Sequence, residues 1–143
     1  MREEFAPHLL ESRTLFVEPM YKAAFSSKGM LPLLWEYFPG HPNLLECHRS
    51  QRALSSYARK PVLSREGQNV RLVQDGEIIA ETQGDYADEG FIYQALCPLP
   101  AFGGVRPVIG SWVIAGTAAG IGIRESDGLI TTDQSHFIPH FFE

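Results

Sequence analysis

The stretch Tyr57–Asn69, YARKPVLSREGQN, decides how this chain is read. Its first part, Tyr57 to Leu63, is rich in β-forming residues and carries Lys60, while Ser64 to Asn69 is a short polar loop with Gly67 near its middle. The composition predicts a strand running into a pliable, charged loop. A point cation beside a glycine turn suits polyphosphate chemistry, because an ammonium neutralises phosphate oxygens while backbone N–H groups of the turn approach them closely. A solvated lysine beside a surface hairpin has the same local signature, so the surroundings must discriminate.

On the C-terminal side, Asp75-Gly76 separates runs containing Val70, Leu72 and Ile78, Ile79. That is a hairpin signal, since both central residues of a type I′ turn need positive φ. Gln83 to Gly90 is an acidic loop whose Asp85, Asp88 and Glu89 read as a solvated turn rather than a cation site. Phe91 to Cys97 predicts a strand stopped by Pro98 and Pro100. Pro107 to Ala115 and Ala118 to Arg124 predict a strand pair turning at Gly116 and Thr117. In its second arm Gly120 and Gly122 alternate with Ile121 and Ile123, which fits either a face approached by a backbone or flat ligand, or a bulged edge strand. Leu129 to Thr131 and His136 to Phe142 read as short closing strands or extended tails.

On the N-terminal side the periodicity predicts three helical segments. Arg2 to Arg13 carries Phe5, Leu9 and Leu10 at helical spacing with a break expected near Pro7; Glu18 to Ser27 has Pro19 in a first-turn position; Lys28 to Phe38 is the most apolar and is expected to pack under a sheet. Pro39 to Glu46 is a turn with a short apolar tail, and His48 to Ser56 is a polar connection expected to be mobile. His41 and His48 lack partners at metal-binding intervals and are assigned capping or solvated roles, so no metal ligand is named.

The whole chain has 143 residues, 44% hydrophobic and 20% charged, which predicts one ordinary globular core. A net charge of -5 argues against a nucleic-acid surface, so the cations are expected to act locally. Cys47 and Cys97 read as free thiols, which fits a reducing, cytoplasmic setting. No apolar run approaches the ~20 residues of a membrane span, and MREEFAPHLL has neither the basic start nor the apolar run of a signal peptide.

Five blocks carry a family resemblance: Lys28–Glu46 (KGMLPLLWEYFPGHPNLLE), Tyr57–Asn69, Phe91–Pro100 (FIYQALCPLP), Val108–Glu125 (VIGSWVIAGTAAGIGIRE) and the closing SHFIPHFF. In order and over nearly the whole chain they resemble the C-terminal part of the glutathionylspermidine synthase family, including its stand-alone acid–amine ligase relatives. The resemblance implies an α+β fold, the C-terminal part of an ATP-grasp ligase, with N-terminal helices packed on a mostly antiparallel sheet. It implies a reaction in which ATP, with magnesium, activates a carboxylate as an acyl phosphate that an amine then attacks. Residues 1–143 would form the nucleotide-binding portion. Lys28 and Lys60 match the family's nucleotide-binding lysines, Gly67 lies in the matching glycine loop over the phosphates, and Gln94, Ala95, Leu96 and Cys97 match the strand at the adenine edge. Leu129 and Ile130 match a further nucleotide contact, and Arg124 a catalytic arginine at the transferring phosphoryl group.

The same resemblance places the magnesium ligands and most of the substrate pocket in a part N-terminal to this chain, which is therefore read as a fragment, inactive alone. Ser27 stands where many members have Asn. Expected partners are ATP, a carboxylate or peptide such as glutathione, and a polyamine or other amine. The alternative is a non-catalytic nucleotide-binding or assembly module derived from such a ligase. Because a partial domain would expose apolar surface, a homodimer is expected, with neither nucleic acid nor membrane as partner.

Overall fold

The computed structural model describes residues 6–16, 20–52, 54–86 and 88–141. Two antiparallel sheets dominate it. The first has five strands in the order β1-β5-β2-β3-β4, built from β1 (Cys47–His48), β2 (Tyr57–Pro61), β3 (Arg71–Gln74), β4 (Glu77–Glu81) and β5 (Phe91–Ala95). The second has three, β6 (Arg106–Ile114), β7 (Thr117–Ser126) and β8 (His136–Ile138), with β7 in the middle. With short helices preceding the sheets, the architecture is α+β, as the sequence implied.

The helices are shorter than the periodicity suggests. α1 runs Ala6–Glu11, with Pro7 in its first turn, where a missing N–H costs no helical bond. Positions 2–5 of the expected helix lie outside the described residues, as do Glu18 and Pro19 of the next. That second segment is a 3-10 helix, Met20–Ser26. α2 (Met30–Tyr37) buries Pro32 and packs against β1, so it sits at the edge of the five-stranded sheet rather than beneath its middle. Its entry is tied to the end of β2 by the Lys28 N–H, which donates to the Val62 carbonyl at 2.8 Å.

The hairpin expected at Asp75-Gly76 is present, with φ of 50° and 85° at the two central residues. The turn between β6 and β7 lies one residue earlier than expected, at Ala115-Gly116, and Ala115 itself takes positive φ. Gly120 sits where the β6–β7 register shifts, opposite Trp112, so the bulged reading of the glycine pattern holds there. Leu129 to Thr131 does not form a strand but a bent crossing between β7 and β8.

Alternation along β2 and β5 gives the five-stranded sheet two unlike faces. One carries Tyr57, Arg59, Arg71, Phe91 and Tyr93: the Tyr57 and Tyr93 rings meet edge to face at 5.5 Å, and the Arg59 guanidinium lies 4.5 Å from the Phe91 ring centre. Arg59 and Arg71 are directly opposed, a repulsive arrangement that Glu81 offsets by reaching both, at 3.6 and 2.6 Å. The other face carries Ala58, Lys60, Leu72, Ile92 and Gln94, and against its Ala58–Val70–Leu72 cluster pack Leu96, Leu129 and Ile130. The crossing between β7 and β8 thus roofs the apolar face of the other sheet.

Candidate functional site

Where floor and roof meet, a cleft of about 380 Å³ opens. That volume lies in the range of pockets that take small molecules and cofactors. All nine residues expected to contact nucleotide line it: Lys28, Lys60, Gly67, Gln94, Ala95, Leu96, Cys97, Leu129 and Ile130. The sequence reading missed Leu45, Ala58, Val70, Leu72, Leu99 and Thr131, which complete the lining. Apart from Thr131 these are aliphatic, and an apolar residue on a strand or loop carries no local sign of which cavity it will face.

Lys60 reaches the cleft because β2 places it on the same face as Ala58. Its partner is the diagonal neighbour on β5: the ammonium donates to Gln94 Oε1 at 2.8 Å. Gln94 is 9% exposed and is the buried polar side chain of this face. Since an ammonium only donates, its contact fixes which end of the Gln94 amide is the carbonyl and leaves the NH₂ end for other acceptors. Lys28, from the chain just before α2, donates to both the backbone carbonyl and the hydroxyl of Ser64 at 2.9 Å. Neither lysine forms an ion pair with a carboxylate among the described residues.

The consequence is electrostatic. Burial holds Lys60 below its ordinary 10.5, opposed in part by the Cys47 sulfur on the same face. Burial lowers Lys28 as well, and the Lys60 charge adds to that shift. Burial also pushes the Cys47 thiol up to about 11. Two partly dehydrated ammonium groups near each other create a positive site that an anion would relieve on both counts.

Gly67 lines the cleft with φ +71°, and a Cβ there would stand 2.5 Å from the Thr131 carbonyl oxygen and 3.0 Å from Ile130 Cγ2. Its own carbonyl accepts from the Thr82 hydroxyl. Arg124 is placed differently. It sits in β7 between Val108 and Phe137, stacks 5.2 Å above the Phe137 ring, and donates from a terminal nitrogen to the Thr132 carbonyl. It is not among the lining residues, and its Nε is buried without a partner. A larger cavity, about 450 Å³, lies between α2 and residues 47–52, but it lacks both amines.

His41 Nδ1 accepts the Asn43 N–H at 3.1 Å, a local capping contact, whereas His48 is neither a cap nor solvated: it lies in β1 and contacts the Glu46 carboxylate at 2.8 Å. The cleft lining contains no Asp or Glu, so these side chains do not fit a magnesium site.

The cleft thus combines two partly buried amines with a lining that is otherwise mostly aliphatic, contributed by the inner face of the five-stranded sheet and by the crossing between β7 and β8. The chain belongs to the glutathionylspermidine synthase family: residues 1–143 match the family model described as glutathionylspermidine synthase preATP-grasp. It is 38% identical to a Haemophilus influenzae protein that bears the name of an acid–amine ligase, over 97% of this chain and 38% of that protein. It is also 38% identical to the trypanothione synthetase of Crithidia fasciculata, over 86% of this chain and 20% of that one. Identity to the bifunctional glutathionylspermidine synthetase/amidase of Escherichia coli is 30%, over 92% of this chain and 22% of that enzyme. The chain thus spans well under half the length of the relatives it matches. None of the described helices is long and apolar enough to cross a membrane.

Proposed function

We propose that this chain supplies the nucleotide cleft of an ATP-dependent ligase that joins a carboxylate to an amine, as the names of its relatives suggest. The observation that carries the reading is the pair of partly buried lysines, without carboxylate partners among the described residues, in a cleft otherwise lined mostly by aliphatic side chains. When bound, ATP supplies the phosphoryl group that turns the carboxylate into an acyl phosphate. Lys28 and Lys60 hold phosphate oxygens and offset their charge. Ala58, Leu72, Leu96, Leu129 and Ile130 form an aliphatic surface on which a base packs and which excludes water, while the 94–97 backbone lies along its edge. Ser64 and Gln94 orient the two ammonium groups. With no carboxylate in the lining, these side chains supply no magnesium ligand, and we expect no amide formation by this chain alone.

Calorimetric titration with ATP, with and without magnesium, tests the reading. The intact chain is expected to bind ATP, and Lys28→Ala and Lys60→Ala each to weaken binding by about tenfold or more. Unchanged affinity in both variants would remove the cleft from consideration.

A further inference from the structure

The roof of the cleft lies outside either sheet, so its position must come from a few contacts. It runs between the end of β7 at Ser126 and the start of β8 at His136. We propose that Gly67 and Arg124 are positioning residues that clasp this crossing at Thr131 and Thr132 from opposite sides and so set the depth of the slot. The proposal rests on the nucleotide reading above for its ligand, but not for the clasp itself.

The Thr131 carbonyl meets Gly67 of the loop between β2 and β3, while the Thr132 carbonyl receives the Arg124 guanidinium from β7. Gly67 makes its approach possible twice over, through its positive φ and its missing Cβ. The obstructing atom at 2.5 Å is backbone, so a side chain at 67 must lift the roof by about 1 Å to restore ordinary contact. On the far side Arg124 is steadied by Phe137 across the β7–β8 pair, and the Thr132 N–H donates to Ser135 Oγ at 3.0 Å. Leu129 and Ile130, carried on the same crossing, are the residues that press on Ala58, Val70 and Leu72. Lifting the roof therefore widens the slot along its aliphatic walls.

This geometry predicts a ligand series that a direct phosphate contact does not. Adenosine, AMP and ATP are titrated against the intact chain, Gly67→Ala, Arg124→Gln and Phe137→Leu. The last removes an exposed ring that only steadies the guanidinium, and so guards against variants that fail to fold. Affinity for all three ligands is expected to fall by one common factor, on the order of tenfold for Gly67→Ala and Arg124→Gln and smaller for Phe137→Leu. A loss confined to ATP, with adenosine unchanged, overturns the proposal by placing these groups on phosphate. Hydrogen exchange in the ligand-free chain is the second arm: the Thr132 and Ser135 amides are expected to exchange faster in Arg124→Gln, and unchanged protection overturns the clasp. Should the intact chain bind none of the three ligands, the nucleotide reading fails, and the exchange arm alone decides the clasp.

Discussion

The five-stranded sheet and the β6–β7 ribbon are both antiparallel and both rich in aliphatic residues, yet they use those residues in opposite ways. In the first, strands of five residues or fewer bury Ala58, Leu72, Val73 and Ile92, and the polar groups on the inner face are bonded to each other. In the second, β8 pairs only with Ile123 to Glu125, so most of the ribbon is two strands wide. Ile109, Trp112, Val113 and Ile114 remain more than 60% exposed there, on both faces. Hydrophobicity in a strand therefore does not by itself mark the core. What marks it is a neighbour on the same face, and a two-stranded ribbon has too few.

Substitutions at matched aliphatic positions sharpen that contrast most. Leu72→Ala removes a buried side chain from the cluster under the roof and is expected to cost about 2–5 kcal/mol in urea unfolding. Val113→Ala, at 64% exposure, is expected to stay within about 0.5 kcal/mol. Equal losses at the two sites would erase the distinction.

The alkaline pH dependence is the next largest effect and belongs to the floor alone. An amine is charged below its pKa, and both Lys28 and Lys60 are held below 10.5. Their charge is lost at lower pH than that of a free lysine, so ATP affinity should decline as pH rises toward 10.5, and binding in that range should take up protons. Stability responds with the other sign. Folding favours the neutral amines, so their contribution grows as pH rises through the folded values toward 10.5. Cys47 works against it, because its stabilisation is complete below 9.0 and lost as pH rises through about 11. Proton uptake measured in buffers of different ionisation enthalpy separates the binding effect; its absence in wild type would show that the lysines do not meet the anion.

The smallest effect is a count of thiols. Cys97 is exposed at the cleft and Cys47 is 1% exposed, so a maleimide at neutral pH should label one site in the folded chain and two after unfolding. ATP should slow the single labelling reaction. Labelling of Cys47 in the folded chain would mean that the floor opens.

Local chemistry made some of this legible in advance. Asp75-Gly76 announced its hairpin because both residues tolerate positive φ, whereas Ala115 does so only under the pull of the strand pair around it, and the expected turn was therefore one residue late. β1 is two residues long and exists only by pairing with β5, so no pattern within Cys47–His48 foretold it. Leu129 to Thr131 looked like a strand because it is apolar and β-branched, but those side chains serve the cleft and its backbone is bent. The residues proposed to contact nucleotide follow from the family resemblance, and the structure gathers them into one cleft; the partners Ser64 for Lys28 and Gln94 for Lys60 lie 36 and 34 positions away in the chain, so no local pattern foretells them.

The pairing of β2 on β5 has a further consequence for how this chain can change over time. Arg59 and Lys60 are adjacent cations on opposite faces. Deleting one residue within the strand would exchange them, sending a bulky guanidinium into the slot and an ammonium out beside Phe91. With Ala58 as the residue lost, net charge would be conserved, yet Lys60 would no longer reach Gln94 from the inner face. Insertions and deletions should thus be tolerated in the 49–56 connection and excluded from Tyr57–Lys60, a length constraint that holds whatever the ligand.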